Sequence, residues 1–465
     1  MREDMSELDT IDTWLRDNLA ALVGEHRVPA AAVAVSVGDE VVEHAAGVLN
    51  LATGVEATTD SLFQIGSITK TWTTTLVMQL VDEGKVDLDC PVRDYLPEFR
   101  VADDSASAKI TVRHLLSHTS GFEGDYFTDT GRGDDCVEKY VATLATAPQL
   151  FAPGTLFSYN NAGYNVLGRL VEKLRGKPYD ECLREHLFAP LGLTHAATDP
   201  YDAIRFRAAL GHLQPTPDAE HEPAPIWALA RSNAPAGAML AMCPRDLLVF
   251  ARMHLNNGVG PDGSAVLSAA SAAAMATRHV EVPSAGLMGD AWGLGWEIFD
   301  FGGGTVIGHD GGTIGQAAFL RLVPEHNVAV AVLTNSGSTS FPLYERIVGK
   351  VLADLADREL RPLPTPGPLP DDVSRYLGTY RSDAADTEIF RDEDGRIWKR
   401  TRFKTAQAEV MPQPDDIELA GFRGDTLVTK TLYHGVHLPH TFVGDDGSGH
   451  ALFVHTGRAD RWVKS

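Results

Sequence analysis

The stretch Leu62-Phe-Gln-Ile-Gly-Ser-Ile-Thr-Lys70 decides how this chain folds and which chemistry it can carry. A short strand-like run leads into Gly66, and an apolar helical pattern to about residue 84 follows Ser67. A serine at a helix start has its backbone amide and the positive end of the helix dipole beside it. Lys70 lies one helical turn later, so its amine can return over Ser67. The stretch predicts a nucleophile with an amine base, although it is equally typical of a serine cap beside a surface lysine.

Two further motifs follow in fixed order. Tyr159-Asn160-Asn161 precedes a helical pattern, and His309-Asp310-Gly311-Gly312 lies between two strand-like runs. Taken alone, Asn161 is typical of a helix cap, Tyr159 of a packed core tyrosine and His309 of a tight turn. Glycines in a strand indicate close approach of another backbone, such as a substrate added as a strand. Together the three motifs are sufficient for acyl transfer through a serine ester.

Composition narrows the classes of protein that need to be considered. The 465 residues predict two or three domains, and 44% apolar with 22% charged residues is typical of a soluble globular protein. The net charge of −23 argues against nucleic acid as a partner, and no apolar run is long enough to span a membrane. The acidic N-terminus does not resemble a signal peptide, and the four cysteines are scattered. We therefore expect a cytoplasmic protein with reduced thiols.

Hydrophobic periodicity predicts a mixed α/β region followed by a β region. A first helix is expected over residues 8–23, then a hairpin of two strands, Ala30–Val37 and Glu40–Ala46. A polar, helix-rich middle extends to about residue 200. Strands then return, and a helix closes the section: Gly293–Phe299, Thr305–Gly308, Ala317–Leu322 and Val328–Leu333, with the helix at Tyr344–Leu355.

A proline-rich segment divides the chain. Residues 361–370 hold five prolines and favour an extended connector, so we expect a catalytic domain over 1–360 and a second domain over 371–465. Regular turns between short alternating runs in the second domain predict a small antiparallel barrel or sandwich. Because every motif residue lies upstream, this domain is expected to shape substrate access and to carry no catalytic group.

Two other clusters are candidate sites. His114 and His118 lie four residues apart on a short predicted helix, but no third ligand is placed, so no metal and no cofactor are expected. An acidic loop over residues 125–135 includes Asp125 and Tyr126. Such a loop is usually only a solvated surface, but it could favour an amine-bearing substrate, so both residues are candidates for substrate binding.

The motifs resemble those of the penicillin-recognising serine hydrolases, which include class C β-lactamases, penicillin-binding proteins, family VIII esterases and D-aminopeptidases. Supporting runs are His114-Leu-Leu-Ser-His-Thr-Ser-Gly121, Pro153-Gly154, Pro235-Ala-Gly237 and Gly293-Leu-Gly-Trp296. The resemblance covers roughly residues 10–355. It implies an antiparallel sheet flanked by helices, with an inserted helical lobe and the site between them. A β-lactamase-like domain followed by a lipocalin-like barrel is similar to the arrangement in D-aminopeptidases. The same pair of domains occurs in penicillin-binding-protein-type thioesterases, which cyclise nonribosomal peptides.

The resemblance also implies a role for each motif residue. Ser67 is the acylated nucleophile, Lys70 its proton acceptor, and Tyr159 the phenol that passes a proton to the leaving group. Asn161 orients Lys70 and the substrate carbonyl, and the backbone amides of Ser67 and Gly312 form the oxyanion hole. Asp310 and Gly311 lie along the strand on which a substrate would rest.

The third motif departs from the family pattern. His309 replaces the lysine that anchors a substrate carboxylate in many β-lactamases, and an imidazole is a poorer anchor. Penicillin hydrolysis is therefore disfavoured, whereas esters, thioesters (a carrier-bound one included) and D-residue peptides remain open. Possible activities are peptide cyclisation, or hydrolysis as in family VIII carboxylesterases or D-aminopeptidases. A catalytically inactive binding homologue is the alternative outside enzymes.

Overall fold

The structure is a computed structural model that describes residues 6–216, 219–404, 414–433 and 435–464. A nine-stranded antiparallel sheet carries helices on both faces, a helical lobe is inserted after the first strands, and a closed eight-stranded barrel follows. The predicted fold class, a β-lactamase-like domain with a C-terminal lipocalin-like barrel, is confirmed.

The bounds of the helices and strands are as follows. The helices are α1 Glu7–Glu25, α2 Thr69–Asp82, α3 Asp104–Ser107, α4 Val112–Leu116, α5 Cys136–Thr143, α6 Asn161–Arg175, α7 Tyr179–Leu183, α8 Ala189–Leu191, α9 Pro200–Ala203, α10 Pro244–Leu255, α11 Ala269–Met275 and α12 Ser340–Ala356. The strands are β1 Ala30–Val37, β2 Glu40–Asn50, β3 Val55–Glu56, β4 Phe63–Gln64, β5 Ala196–Ala197, β6 His212–Leu213, β7 Glu222–Pro223, β8 Ala241–Met242, β9 Val280–Gly286, β10 Gly289–Trp292, β11 Glu297–Phe301, β12 Gly304–Thr313, β13 Gln316–Val323, β14 Val328–Thr334, β15 Gly378–Arg381, β16 Ala385–Arg391, β17 Ile397–Phe403, β18 Ile417–Gly421, β19 Thr426–Thr429, β20 Pro439–Val443, β21 Phe453–His455 and β22 Ala459–Val463.

The large sheet is buried on both faces, in the strand order β3-β2-β1-β14-β13-β12-β11-β10-β9. Residues of β1 alternate between two apolar cores: Ala32 and Ala34 face the core that contains α2, whereas Val33 and Val35 face α1 and α12. Because neither face meets water, the strand is apolar throughout rather than alternating with polar residues. The N-terminal and C-terminal parts of this domain meet where β1 pairs with β14.

The barrel closes where β15 pairs with β22, and its strands β15–β22 run in chain order. In β16, buried Thr387 and Ile389 alternate with more exposed neighbours, as expected for a strand with one face on a barrel interior. A compact apolar core that includes Tyr376, Tyr380 and Phe442 fills one part of the interior.

Most predicted elements are confirmed, with shifted boundaries, and two are corrected. The predicted strand over Gly293–Phe299 begins only at Glu297, because Gly293 donates its N–H to Trp296 O in a turn. The helix that contains His114 ends at Leu116, so His118 lies beyond it, at a φ of +56°. Among the described residues, no helix is long and apolar enough to span a bilayer.

Candidate active site

Ser67 lies in a single 3-10 turn, Gly66–Ile68, that leads directly into α2. Gly66 has a φ of +51°, and a Cβ atom on it would lie 2.6 Å from the backbone nitrogen of Gly312. Only glycine allows this contact between the turn and β12. The contact places the start of α2 against the strand that holds the third motif.

Lys70 is fully buried beneath Ser67. Its Nζ lies 3.0 Å from Ser67 Oγ and donates to Ala236 O at 2.6 Å. Burial lowers the pKa of Lys70 well below the ordinary lysine value, and the positive charge of Arg458 lowers it further. A neutral amine can donate to Ala236 and still present its lone pair to the serine hydroxyl, as a general base requires.

Tyr159 covers the same amine from the other side. Lys70 Nζ lies 4.8 Å from the centroid of the Tyr159 ring, and the Tyr159 hydroxyl interacts with Ser67. Burial raises the pKa of Tyr159, whereas the contact with Ser67 and the charge of Arg458 oppose that rise. The phenol is therefore protonated at neutral pH and can hand its proton to a leaving group.

His309 is buried in β12 and is neutral. Its Nδ1–H donates to Asp310 O at 2.6 Å, which leaves the lone pair on Nε2, and Nε2 has no partner among the described residues. Burial lowers the pKa of His309 to about 3, and the neighbouring Lys70 contributes. A cationic anchor for a substrate carboxylate is therefore missing at this position, as the sequence predicts.

The third motif also leaves one edge of β12 open. Pairing with β11 ends at Gly308, while pairing with β13 continues to Thr313. A Cβ atom on Gly311 would lie 1.9 Å from Ile65 O, so glycine is required there, whereas Gly312 has open space beside it. This edge lines the same cleft as Ser67, and Gly312 lies there with the serine, as the oxyanion hole implied by the family resemblance requires.

Two carboxyl groups, those of Asp310 and Glu297, line the cleft beside His309. Asp310 accepts two hydrogen bonds from Arg321, at 2.6 and 3.1 Å, so its carboxylate is already neutralised. Glu297 is 3% exposed, and its pKa is raised well above the usual value by burial and by the nearby carboxylate of Asp310. Glu297 Oε1 lies 3.7 Å from His309 Nδ1, and this carboxyl lines the cleft.

Asn161 has a partner other than the one that the resemblance implies. Asn160 caps α6 by accepting from Gly163 N, so the side chain of Asn161 is free of that duty. Asn161 Nδ2 donates to Asp125 at 2.9 Å rather than to Lys70. The Tyr126 hydroxyl bonds Asp383 of the barrel. Asp125 and Tyr126 thus both hold the helical lobe to neighbouring groups, and neither is among the residues that line the cleft.

Arg458 is a cleft residue that the sequence does not indicate. It comes from the hairpin between β21 and β22, pairs with Asp125, and lies 5.1 Å from the centroid of the Tyr159 ring. Its side chain is 39% exposed and lines the cleft. The barrel thus places a cation in the cleft, whereas the sequence predicts only that it shapes substrate access and carries no catalytic group. An isolated arginine in a turn carries no sequence signal for such a role.

The same hairpin pairs with the backbone around Tyr159. Gly457 O accepts from Tyr159 N at 3.0 Å, His455 Nε2 donates to Phe157 O at 2.9 Å, and Ala459 N donates to Ser158 Oγ. These bonds continue the edge of the barrel onto the catalytic segment. The barrel is thus part of the support of the site.

The resulting cleft has a volume of about 380 Å³ and is bounded by both domains. It holds a serine beside a buried amine, a phenol and two backbone amides. In the described part of the chain, no three His, Cys, Asp or Glu side chains cluster as metal ligands. The arrangement can acylate a serine and then pass the acyl group to a second nucleophile.

Comparison with known proteins identifies the family of this chain. The model of the Beta-lactamase family matches residues 15–353. The chain belongs to the beta-lactamase family. Within that family it is a serine hydrolase related to penicillin-binding proteins.

Individual beta-lactamase family members show how far the likeness extends. Penicillin-binding protein 4 of Amycolatopsis lactamdurans is 45% identical over 370 residues, which is 78% of this chain and 96% of that protein. The unguisins hydrolase ungD of Aspergillus violaceofuscus is 26% identical over 342 residues, or 68% and 59% of the two chains. The crystal structure of SurE with D-Leu has a TM-score of 0.78 and 28% identity, and the match covers 98% of this chain and 99% of SurE. The likeness to SurE thus includes the barrel.

Proposed function

We propose that this serine hydrolase takes a peptide-like ester or thioester as acyl donor, with a D-residue at the acyl position, and transfers the acyl group to an amine of the same peptide. The observation that carries the acyl-enzyme chemistry is the buried Lys70 amine, 3.0 Å from Ser67 Oγ. The contacts among the motif residues argue against an inactive binding homologue, since such a protein has no need of a fully buried lysine beside a serine hydroxyl.

In the proposed reaction, Lys70 and Tyr159 carry the protons that each step must move. Ser67 Oγ attacks the acyl carbonyl, its proton passes to neutral Lys70, and the carbonyl oxygen becomes an oxyanion held by the amides of Ser67 and Gly312. As the carbon–heteroatom bond breaks, the Tyr159 hydroxyl gives its proton to the leaving group and recovers one from Lys70. The acyl-enzyme is then attacked by an amine or by water, whose proton returns through Tyr159 to the departing Ser67.

Three observations support the peptide-like donor and the amine acceptor. The open edge of β12 can pair with an extended peptide. Neutral His309 and the Asp310–Arg321 pair leave no free cation on that strand for a terminal carboxylate. SurE, which the chain matches over both domains, was crystallised with D-Leu.

Arg458 affects the choice of acceptor. Its guanidinium can donate to peptide carbonyl oxygens, and its charge disfavours an ammonium ion close to Tyr159. We therefore propose that the attacking amine enters uncharged. Cytoplasmic location and a carrier-bound thioester donor belong to the same proposal.

Hydrolysis is the second candidate, since the unguisins hydrolase is a relative. The test has two stages. Intact-mass spectrometry after a fluorophosphonate should show one adduct, located on Ser67 and absent from Ser67→Ala; an adduct elsewhere rejects the mechanism. A linear peptide thioester with a D or an L C-terminal residue is then offered. Cyclic product from the D epimer alone supports the full proposal, whereas only linear acid would establish a hydrolase.

A further inference from the structure

His118 is fully buried beside the proposed general base, yet the mechanism above does not use it. Its ring lies 4.4 Å from the Tyr159 ring, centroid to centroid, with 31° between the planes. Trp292, Phe157 and Tyr164 surround the same ring. A polar side chain in such an apolar enclosure needs a reason to be there.

The hydrogen bonds of His118 supply that reason. Its Nδ1 accepts from Asn160 N at 2.9 Å, and its backbone oxygen accepts from Ser158 N at 2.9 Å. In an extended segment, the N–H groups of residues on either side of Tyr159 point the same way, and that of Tyr159 points the opposite way. His118 therefore holds one side of the segment, while Gly457 holds the N–H of Tyr159 on the other.

The chemistry of the ring suits this duty. A backbone N–H can only donate, so Nδ1 must be unprotonated and the ring neutral. Burial lowers the pKa of His118 well below its usual value. The backbone of His118 has a φ of +56°, a conformation that asparagine tolerates better than most residues with a Cβ atom.

We infer that His118 is a positioning residue for Tyr159: it fixes the backbone on both flanks of the phenol and packs its ring against the phenol ring. This inference rests on the proposed acyl-enzyme function and deepens it. His118 touches no reacting atom. Its loss should let the phenol leave the line between Lys70 and the leaving group, which lowers kcat while substrate binding along β12 is retained.

The test compares two replacements of His118 with one matched control. His118→Leu removes the acceptor, whereas His118→Asn keeps an acceptor oxygen near the position of Nδ1. His254→Leu is the control, because His254 is another buried histidine with a lowered pKa, hydrogen bonded to Thr75 away from Tyr159. Rates with a small activated ester are divided by the concentration of sites that a fluorophosphonate titrates, so that misfolded protein does not count.

We expect His118→Leu to lower kcat per titrated site about tenfold to a hundredfold, while KM stays within about threefold of the wild-type value. The expected loss of kcat lies between the effect of losing one hydrogen bond and the effect of losing a general base. His118→Asn should recover most of that loss, and His254→Leu should keep the wild-type kcat. Unchanged kcat per site in His118→Leu, or equal losses in the Leu and Asn variants, would overturn the inference. Neither result would affect the Ser67 adduct, on which the proposed function stands.

Discussion

The close approach of β12 to the nucleophile turn allows a sharp test of the oxyanion hole. In Gly311→Ala, the new Cβ would lie 1.9 Å from Ile65 O and 3.1 Å from Ser67 N. Carbon and oxygen atoms in protein contacts stay about 3.3 Å apart, so the strand and the turn must separate by roughly 1.4 Å. Oxyanion donors must lie within about 2.7–3.1 Å of the oxygen, so a displacement of that size removes one of them.

Losing one such donor costs about 2.7–4 kcal/mol of transition-state stabilisation, which lowers kcat about a hundredfold to a thousandfold. The assay is steady-state hydrolysis of a small activated ester, with melting temperature followed in parallel. Gly337→Ala is the matched control, since Gly337 lines the same cleft but has open space for a Cβ atom. Wild-type kcat in a folded Gly311→Ala would refute the assignment of the hole, as would equal losses in both variants.

Three other outcomes are expected. Arg458→Met removes a charge that lowers the pKa of Lys70, so the acid limb of the kcat/KM profile should move to higher pH; an unmoved limb would place Arg458 outside the site. Glu297 has a folded pKa above its unfolded value of 4.5, so the folded state holds the extra proton and stability should fall as pH rises above that value, by up to about 1.4 kcal/mol per pH unit. Glu297→Gln should flatten this part of a urea-denaturation series, and identical slopes would show that Glu297 ionises normally. Exhaustive chelation should leave turnover unchanged, and zinc-dependent recovery after a loss would instead indicate a metal enzyme.

Much of the catalytic domain could be predicted from local pattern. The apolar run of β1, the helical spacing of α1 and the turn at Ser67 each follow from residues close together in sequence. The helical spacing of Ser67 and Lys70 also predicted that the amine would return over the serine, and Lys70 Nζ lies 3.0 Å from Ser67 Oγ. The boundaries of strand β12 were predicted less well, because its glycines are required by a turn that is distant in sequence.

The roles of Asn161, Asp125 and His118 depended on the tertiary structure. Asn160 rather than Asn161 caps α6, a distinction that adjacent asparagines do not reveal. Asp125 belongs to an acidic loop in sequence but is neutralised by Arg458, which lies more than 300 residues away along the chain. His118 shares a helical spacing with His114, yet the helix ends between them and only His118 reaches the site.

The sequence by itself determined that Lys70 would lie one helical turn from Ser67, because helical spacing constrains local geometry, and the family resemblance implied that Tyr159 would join them. Only the tertiary structure decided that the barrel takes part in that site. In the β21–β22 hairpin of the barrel, Gly457 O accepts a hydrogen bond from Tyr159 N, and the side chain of Arg458 lines the cleft. Contacts between domains depend on the complementarity of two folded surfaces, and short-range periodicity in the sequence does not reveal that complementarity.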